Sequence, residues 1–273
     1  MIKKIQIDSV LGKKVTLDLF PDVTIFYGQN GSGKSTICEK IVHAFSSSDK
    51  KNGVSIFLDD GTQYREGEQQ VHCKQLFSPT ICFEYYPQKG GMAKFWSIAE
   101  LENEVYRSDN EMLLSRLDEE GRDILVKTLN QFFDKDRFYK TGKSIRLFQL
   151  TQKMVSFVGF VEDQEDRLTF LTNDGAELEA DQLSLGEKKL LNFFLHLILR
   201  RATPTLFLMD EPENSLHLEW QGRLLHVAME VAPLGQFVAF THSPGIAMDG
   251  GLLSRFISLD EAYEWPESMK IEK

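Results

Sequence analysis

The stretch FYGQNGSGKST, Phe26 to Thr36, carries Gly28, Gly33, Lys34 and Ser35 at the spacing GxxxxGK[ST]. Glycine lets such a loop fold tightly around a polyphosphate, with backbone N–H groups aimed inward at its oxygens. Asn30, Gly31, Ser32, Gly33, Lys34, Ser35 and Thr36 are the residues that would form this cradle. A helix starting near Lys34 adds the positive end of its dipole, the Lys34 ammonium reaches the β- and γ-phosphates, and the Ser35 hydroxyl ligates magnesium. The pattern therefore points to a bound nucleotide with Mg2+.

Three later segments offer complementary chemistry. In TPTLFLMDEPENSLH the apolar run Leu206 to Met209 precedes Asp210 and Glu211. A buried strand would deliver both carboxylates at its C-terminal end, where α/β sheets place ligands. There Asp210 would hold magnesium through its water shell, and Glu211 would orient and deprotonate an attacking water. In QFVAFTHSP a second apolar strand, Phe237 to Phe240, ends in Thr241 and His242, and His242 is expected at the γ-phosphate. In LSLGEKKLL, Ser184 and Gly186 open a helix that is nearly all apolar through Leu199. Its free N–H groups and hydroxyl suit a phosphate, although Ser-x-Gly-Glu is also an ordinary helix cap. If both helices pack on one sheet, this end cannot easily reach the loop of its own chain; a partner subunit could bring it there.

The elements that must position these groups are legible from periodicity. Ile2 to Val10 and Lys14 to Leu19 alternate as strands and lead into the strand before the phosphate loop. Ile37, Ile41, Val42 and Phe45 then recur at helical spacing. Gly53 to Leu58, Gln70 to His72 and Thr80 to Tyr86 read as short strands of a β-rich lobe. From Ala93 to about Lys140, Trp96, Ile98, Leu101 and Val105, and then Met112 to Leu129, recur as helices. Val155 to Val161 and Arg167 to Leu171 read as a hairpin, and Trp220, Leu224, Val227 and Val231 as a helix between the two catalytic strands.

Composition bounds the rest. With 273 residues, 42% apolar and 26% charged, the chain reads as one elaborated globular domain. The N-terminus alternates like a strand and no apolar run approaches the roughly 20 residues of a membrane span, so a cytoplasmic protein without a membrane role is expected. Cys38, Cys73 and Cys82 are odd in number and lack metal-ligand spacing, which suits reduced, packed thiols. A net charge of -10 argues against nonspecific nucleic-acid coating. Lys135, Arg137, Lys140, Lys143 and Arg146 form a local basic run; a solvated face is its ordinary meaning, and a DNA, RNA or acidic-partner surface the alternative.

The ordered set GQNGSGKST, LSLGEKK, LFLMDEPENSLH and THSP resembles the ATP-binding cassette (ABC) ATPases, and within them the RecF, SMC and OLD branch. Asn30, Glu187-Lys188-Lys189, Glu213 to His217 and Ser243-Pro244 look like that branch, and the resemblance covers roughly residues 1 to 45 and 180 to 245. It implies an α/β P-loop ATPase head over residues 1–273, with a β-rich N-terminal lobe and a helical lobe over about 93–150 inserted between phosphate loop and signature. Leu185 stands where transporter signatures often have a glycine, in keeping with an SMC-like assignment. The chain between Thr36 and Ser184 is too short for a long coiled-coil arm and shows no sustained heptads.

In this family two ATPs are sandwiched in a head-to-tail dimer. By resemblance, Ser184 and Gly186 would meet the γ-phosphate in trans, and Asn214 to His217 would cross the dimer seam. A glutamine senses magnesium in the family; Gln88 is the candidate and Gln75 its rival. Compact, armless members accompany a separate nuclease or toxin, as in anti-phage systems of the Septu or PARIS kind. The implied function is an ATPase switch for such an effector, in anti-phage defence or DNA metabolism. The alternatives are an ATP-locked scaffold that cages a toxin with negligible turnover, and, further off, a transporter's ATPase subunit.

Overall fold

The computed structural model describes residues 1–46, 53–66, 72–75, 80–84, 94–97, 113–132, 155–161, 167–172, 177–178, 183–214, 216–247 and 251–264. Two compact units divide the chain. One comprises Met1–Ala99, Ala202–Asn214 and Gln221–Lys273; the other comprises Glu100–Arg201 and Ser215–Trp220.

The first unit starts with two long strands, β1 (Ile2–Val10) and β2 (Lys13–Asp18), paired antiparallel. Leu11 and Gly12 join them with φ of 52° and 79°. Two consecutive left-handed residues make the kind of tight turn whose twist matches that of the strands it joins. Where β1 pairs on its other edge with the strand Val54–Leu58, a register shift between Ile2 and Lys4 lets both Ile2 and Ile5 face the core although they stand three apart. β4 (Val54–Leu58) pairs with the other edge of β1, and β5 (Gln63–Arg65) with β4, giving the order β2-β1-β4-β5.

The second sheet of this unit holds β3 (Val23–Tyr27), β6 (His72–Gln75), β7 (Thr80–Glu84), β8 (Lys94–Ser97), β12 (Thr205–Asp210), β13 (Gly235–Thr241) and β14 (Phe256–Ser258). Its order is β14-β3-β13-β12-β7-β6-β8. β14, β3, β13 and β12 run parallel, while β7 pairs antiparallel with β12. Every residue of β12 and β13 is buried, as continuous apolar runs covered on both faces must be. Helix α1 (Lys34–Ser46) lays Ile37, Cys38 and Ile41 into a core shared with Ile5, Ile7, Leu17, Leu208 and Phe240. Gln236 ties the layers: its Oε1 accepts from the Ile2 N–H at 3.0 Å, and its Nε2 donates to the carbonyls of Ile2 and Phe20 at 2.6 and 2.8 Å.

Lys94–Ser97 corrects one expectation. The helical reading from Ala93 included Trp96, but this segment is a strand that pairs with β6 and β7. Four residues with adjacent aromatics suit either element, and pairing with an open strand edge decides between them. Farther on, Glu119–Phe132 is helical as expected, and 133–150, including the basic run from Lys135 to Arg146, lies outside the described residues.

In the second unit helix α2 (Glu119–Phe132) is capped by Asp118, whose Oδ1 accepts from the Gly121 N–H at 2.7 Å. Arg201 also holds Asp118, with Nη2 at 2.7 Å from Oδ2. β9 (Val155–Val161), β10 (Arg167–Thr172) and β11 (Glu177–Leu178) form an antiparallel sheet, with the β9–β10 pairing the sequence predicts. Helix α3 (Leu185–Leu199) packs on α2 through Phe194, whose ring lies 5.3 Å from that of Phe132. Helix α4 (Leu218–Val231) precedes β13. The architecture is an α/β P-loop ATPase fold, and the described residues contain no long coiled coil. None of their helices is long and apolar enough to cross a membrane.

Candidate active site

Parallel pairing of β3, β13 and β12 sets their C-terminal ends side by side. Tyr27 is in register with Thr241, and Phe240 with Asp210. The three chemistry-bearing segments leave the sheet there: the loop from Gly28 after β3, Glu211 after β12 and His242 after β13. Two backbone hydrogen bonds fasten these exits, Gly28 N–H to the Thr241 carbonyl at 3.1 Å and Glu211 N–H to the Phe240 carbonyl at 2.7 Å.

Within the loop, Gly31 and Gly33 have φ of 81° and 92°, the left-handed backbone that the glycine pattern anticipates. Lys34 is buried, and its ammonium donates to the carbonyls of Gly28 and Gln29 at 2.8 and 3.0 Å. Asn30, Gly31 and Ser35 are exposed on the loop, with Ser32, Gly33 and Thr36 half-buried beside them.

Asp210 is 1% exposed, and neither of its carboxylate oxygens has a hydrogen-bond partner among the described residues. Burial pushes its carboxyl up to about 6; Glu211 and Glu213 add to the rise, while the Ser35 hydroxyl and the Lys34 ammonium oppose it. A buried, unbonded carboxylate beside a hydroxyl is a donor set that suits a hard divalent cation such as Mg2+. Asp210 and Ser35 thus fit the metal role assigned to them.

Glu211 sits where it could take a proton. Its φ is 49°, unusual for any residue but glycine. Its Oε1 lies 3.0 Å from His242 Nδ1 and 4.0 Å from Lys34 Nζ, and its Oε2 accepts from Asn214 Nδ2 at 2.9 Å. Sequence reasoning placed His242 at a phosphate and did not foresee its bond to the candidate base.

Glu213 was also missed. It is 3% exposed, accepts from the Thr241 hydroxyl through Oε1, and lies 3.9 Å from His242 Nδ1. Burial raises its carboxyl, opposed by the Thr241 hydroxyl and His242. The only signal was a third acid in DEPEN, with no periodicity to say that it points inward.

Ser184 and Gly186 belong to the second unit. Ser184 is the exposed N-cap of α3: its N–H donates to Glu187 Oε2 at 2.7 Å, and its Oγ accepts from the Glu187 N–H at 3.4 Å. This reciprocal capping box fixes the helix start. Lys188 and Lys189 are buried, and burial lowers the Lys189 ammonium. Gln88 lies outside the described residues, and Gln75 is placed only as the last residue of β6. Cys38 is a buried free thiol.

Comparison with known proteins bears on this arrangement. The chain is 22% identical over 290 residues to the Septu protein PtuA of Bacillus thuringiensis, covering 89% of this chain and 72% of that one. Among solved structures it is similar to an SMC head bound to the C-terminal winged-helix domain of ScpA (TM-score 0.46, 16% identity, 90% of each chain). It is also similar to the SMC head domain of Thermotoga maritima (TM-score 0.43, 16% identity, 91% of this chain and 92% of that one). A protein-family profile described as "AAA domain, putative AbiEii toxin, Type IV TA system" matches residues 83–249, a span that includes Ser184, Asp210, Glu211 and His242 and begins after the phosphate loop. Because that match takes in more than half of its length, the chain belongs to this AAA-domain family of P-loop ATPases.

Proposed function

We propose that the chain is an ATP-hydrolysing switch that closes as an ATP-sandwich dimer and is read by a separate effector, a nuclease or toxin, in anti-phage defence. The convergence of Lys34, Asp210, Glu211 and His242 on three adjacent strand ends carries this reading. The likeness to a Septu protein supports the defence setting.

In the proposed reaction the loop N–H groups and Lys34 hold the β- and γ-phosphates. Glu211, aimed by His242 and Asn214, takes a proton from water as its oxygen attacks the γ-phosphorus; the bond to the β-phosphate oxygen breaks, leaving ADP and phosphate. Mg2+, held by Ser35 and Asp210, would neutralise charge developing on the phosphate oxygens. Ser184 and Gly186 of a second copy would complete the site, so that ATP favours the closed dimer by its differential affinity for it.

Mixing inactive Lys34→Ala and Ser184 variants tests the sandwich. Recovery of phosphate release requires two copies to share each site; no recovery, together with a monomer in saturating Mg-ATP, would refute it. A closed ATP dimer with negligible phosphate release, with or without DNA, would favour the caging scaffold.

A further inference from the structure

Tyr263 follows the short helix α5 (Leu259–Ala262), 231 residues away from Ser32 in sequence, yet its hydroxyl donates to the Ser32 carbonyl at 2.5 Å. The side chain is 8% exposed and belongs to the core of the first unit. Its backbone bridges antiparallel to Val15, and the next residue, Glu264, donates its N–H to the Lys14 carbonyl at 2.9 Å. Lys13 Nζ lies 5.9 Å from the centre of the ring.

The phosphate loop is shaped around this segment. A Cβ at Gly33 would collide with the Tyr263 hydroxyl; one at Gly28 would first meet the Ser32 side chain, with its Oγ at 2.5 Å, and then the fully buried Leu259 at 3.3 Å. Gly33 therefore does two things: it supplies left-handed backbone and it leaves room for a support behind the loop.

In a trans peptide the C=O and N–H groups lie in one plane and point in opposite directions. Holding the Ser32 oxygen consequently fixes the Gly33 N–H on the side away from Tyr263. Gly33, at φ 92° and without a Cβ, would otherwise let that peptide swing. Burial, with the Asp260 charge, pushes the Tyr263 phenol up, so it keeps the proton it donates.

We infer that Tyr263 is a positioning residue of the phosphate loop: by gripping the Ser32 carbonyl it aims the Gly33 N–H for a phosphate oxygen before any nucleotide arrives. The inference rests on the nucleotide-binding reading above. Binding is tighter when the groups that meet the ligand need not be ordered at the moment of contact.

The test is Tyr263→Phe in the full chain, titrated with Mg-ATP and with inorganic tripolyphosphate. Both Kd values should rise about 3- to 10-fold, the effect of one hydrogen bond. The KM for ATP should rise by a similar factor, with kcat at saturation altered by less than about twofold. Glu264→Ala, which removes only an exposed ion pair to Lys14, should leave both affinities unchanged. Unchanged binding in Tyr263→Phe overturns the inference, as does an equal loss in Glu264→Ala, or a Tyr263→Phe chain that fails to fold, since a single aimed peptide would then not be the role. If the unsubstituted chain binds neither probe, the nucleotide reading itself has failed; if it binds both and Tyr263→Phe matches it, only the role of Tyr263 has.

Discussion

His242 Nδ1 and Glu211 Oε1 lie 3.0 Å apart, at the ends of two neighbouring parallel strands. The imidazole thus orients the candidate base. Glu211→Gln should lower kcat by roughly 10²–10⁴-fold while ATP still binds, because only proton acceptance is lost. His242→Ala should lower kcat about 10- to 100-fold, since Asn214 still holds the other oxygen. Phosphate release at saturating Mg-ATP measures both; a Glu211→Gln enzyme at parental rate would remove Glu211 from the role.

Asp210 should make stability depend on pH. Its folded-state carboxyl titrates near 6, above the ordinary 3.8, so the folded chain binds the proton more tightly than the unfolded one. The contribution of Asp210 to metal-free stability should therefore fall as pH rises through the window from about 4 to 6, by up to about 3 kcal/mol. Asp210→Asn should melt higher than the parent at pH 7.5 in chelator, with the difference vanishing below about pH 4. An Asp210→Asn chain that melts no higher than the parent at pH 7.5 in chelator would contradict the assignment.

Ser184 caps α3, so alanine there confounds two effects: losing the cap alone costs about 1 kcal/mol. Ser184→Asp separates them, because aspartate caps equally well but sets a negative charge where a phosphate should lie. The expected result is a parental melting temperature with phosphate release lost. Normal turnover in Ser184→Asp would show the residue to be a cap and nothing more.

Gln236→Leu would strand the buried N–H and carbonyl of Ile2 and release the half-buried carbonyl of Phe20. The loss should reach about 3 kcal/mol or more, readable as a lower denaturant midpoint. A change under about 1 kcal/mol would mean that water satisfies those groups.

Much of this was legible in sequence because the burial that makes a central strand also makes it a continuous apolar run. Leu206 to Met209 and Phe237 to Phe240 announce themselves in that way, and GxxxxGK[ST] encodes backbone conformation directly in residue type. Lys94–Ser97 was not legible, since a short aromatic segment takes its conformation from the strands it pairs with. Tyr263 left no local trace: its partner is 231 residues away and its contact is with a carbonyl, which any residue type at position 32 would provide. Glu213 stood in a quoted motif, but its burial depends on the neighbouring strand.

With Glu211 as the proposed base, its left-handed backbone makes catalysis and foldedness opposing demands on one residue. Glycine would relax that turn and raise stability by about 1 kcal/mol, while erasing turnover. A library screened for thermal endurance alone should accordingly enrich Glu211→Gly, and one screened for phosphate release should discard it. Any stabilised version of this protein selected without an activity assay risks becoming a well-folded, inert nucleotide binder.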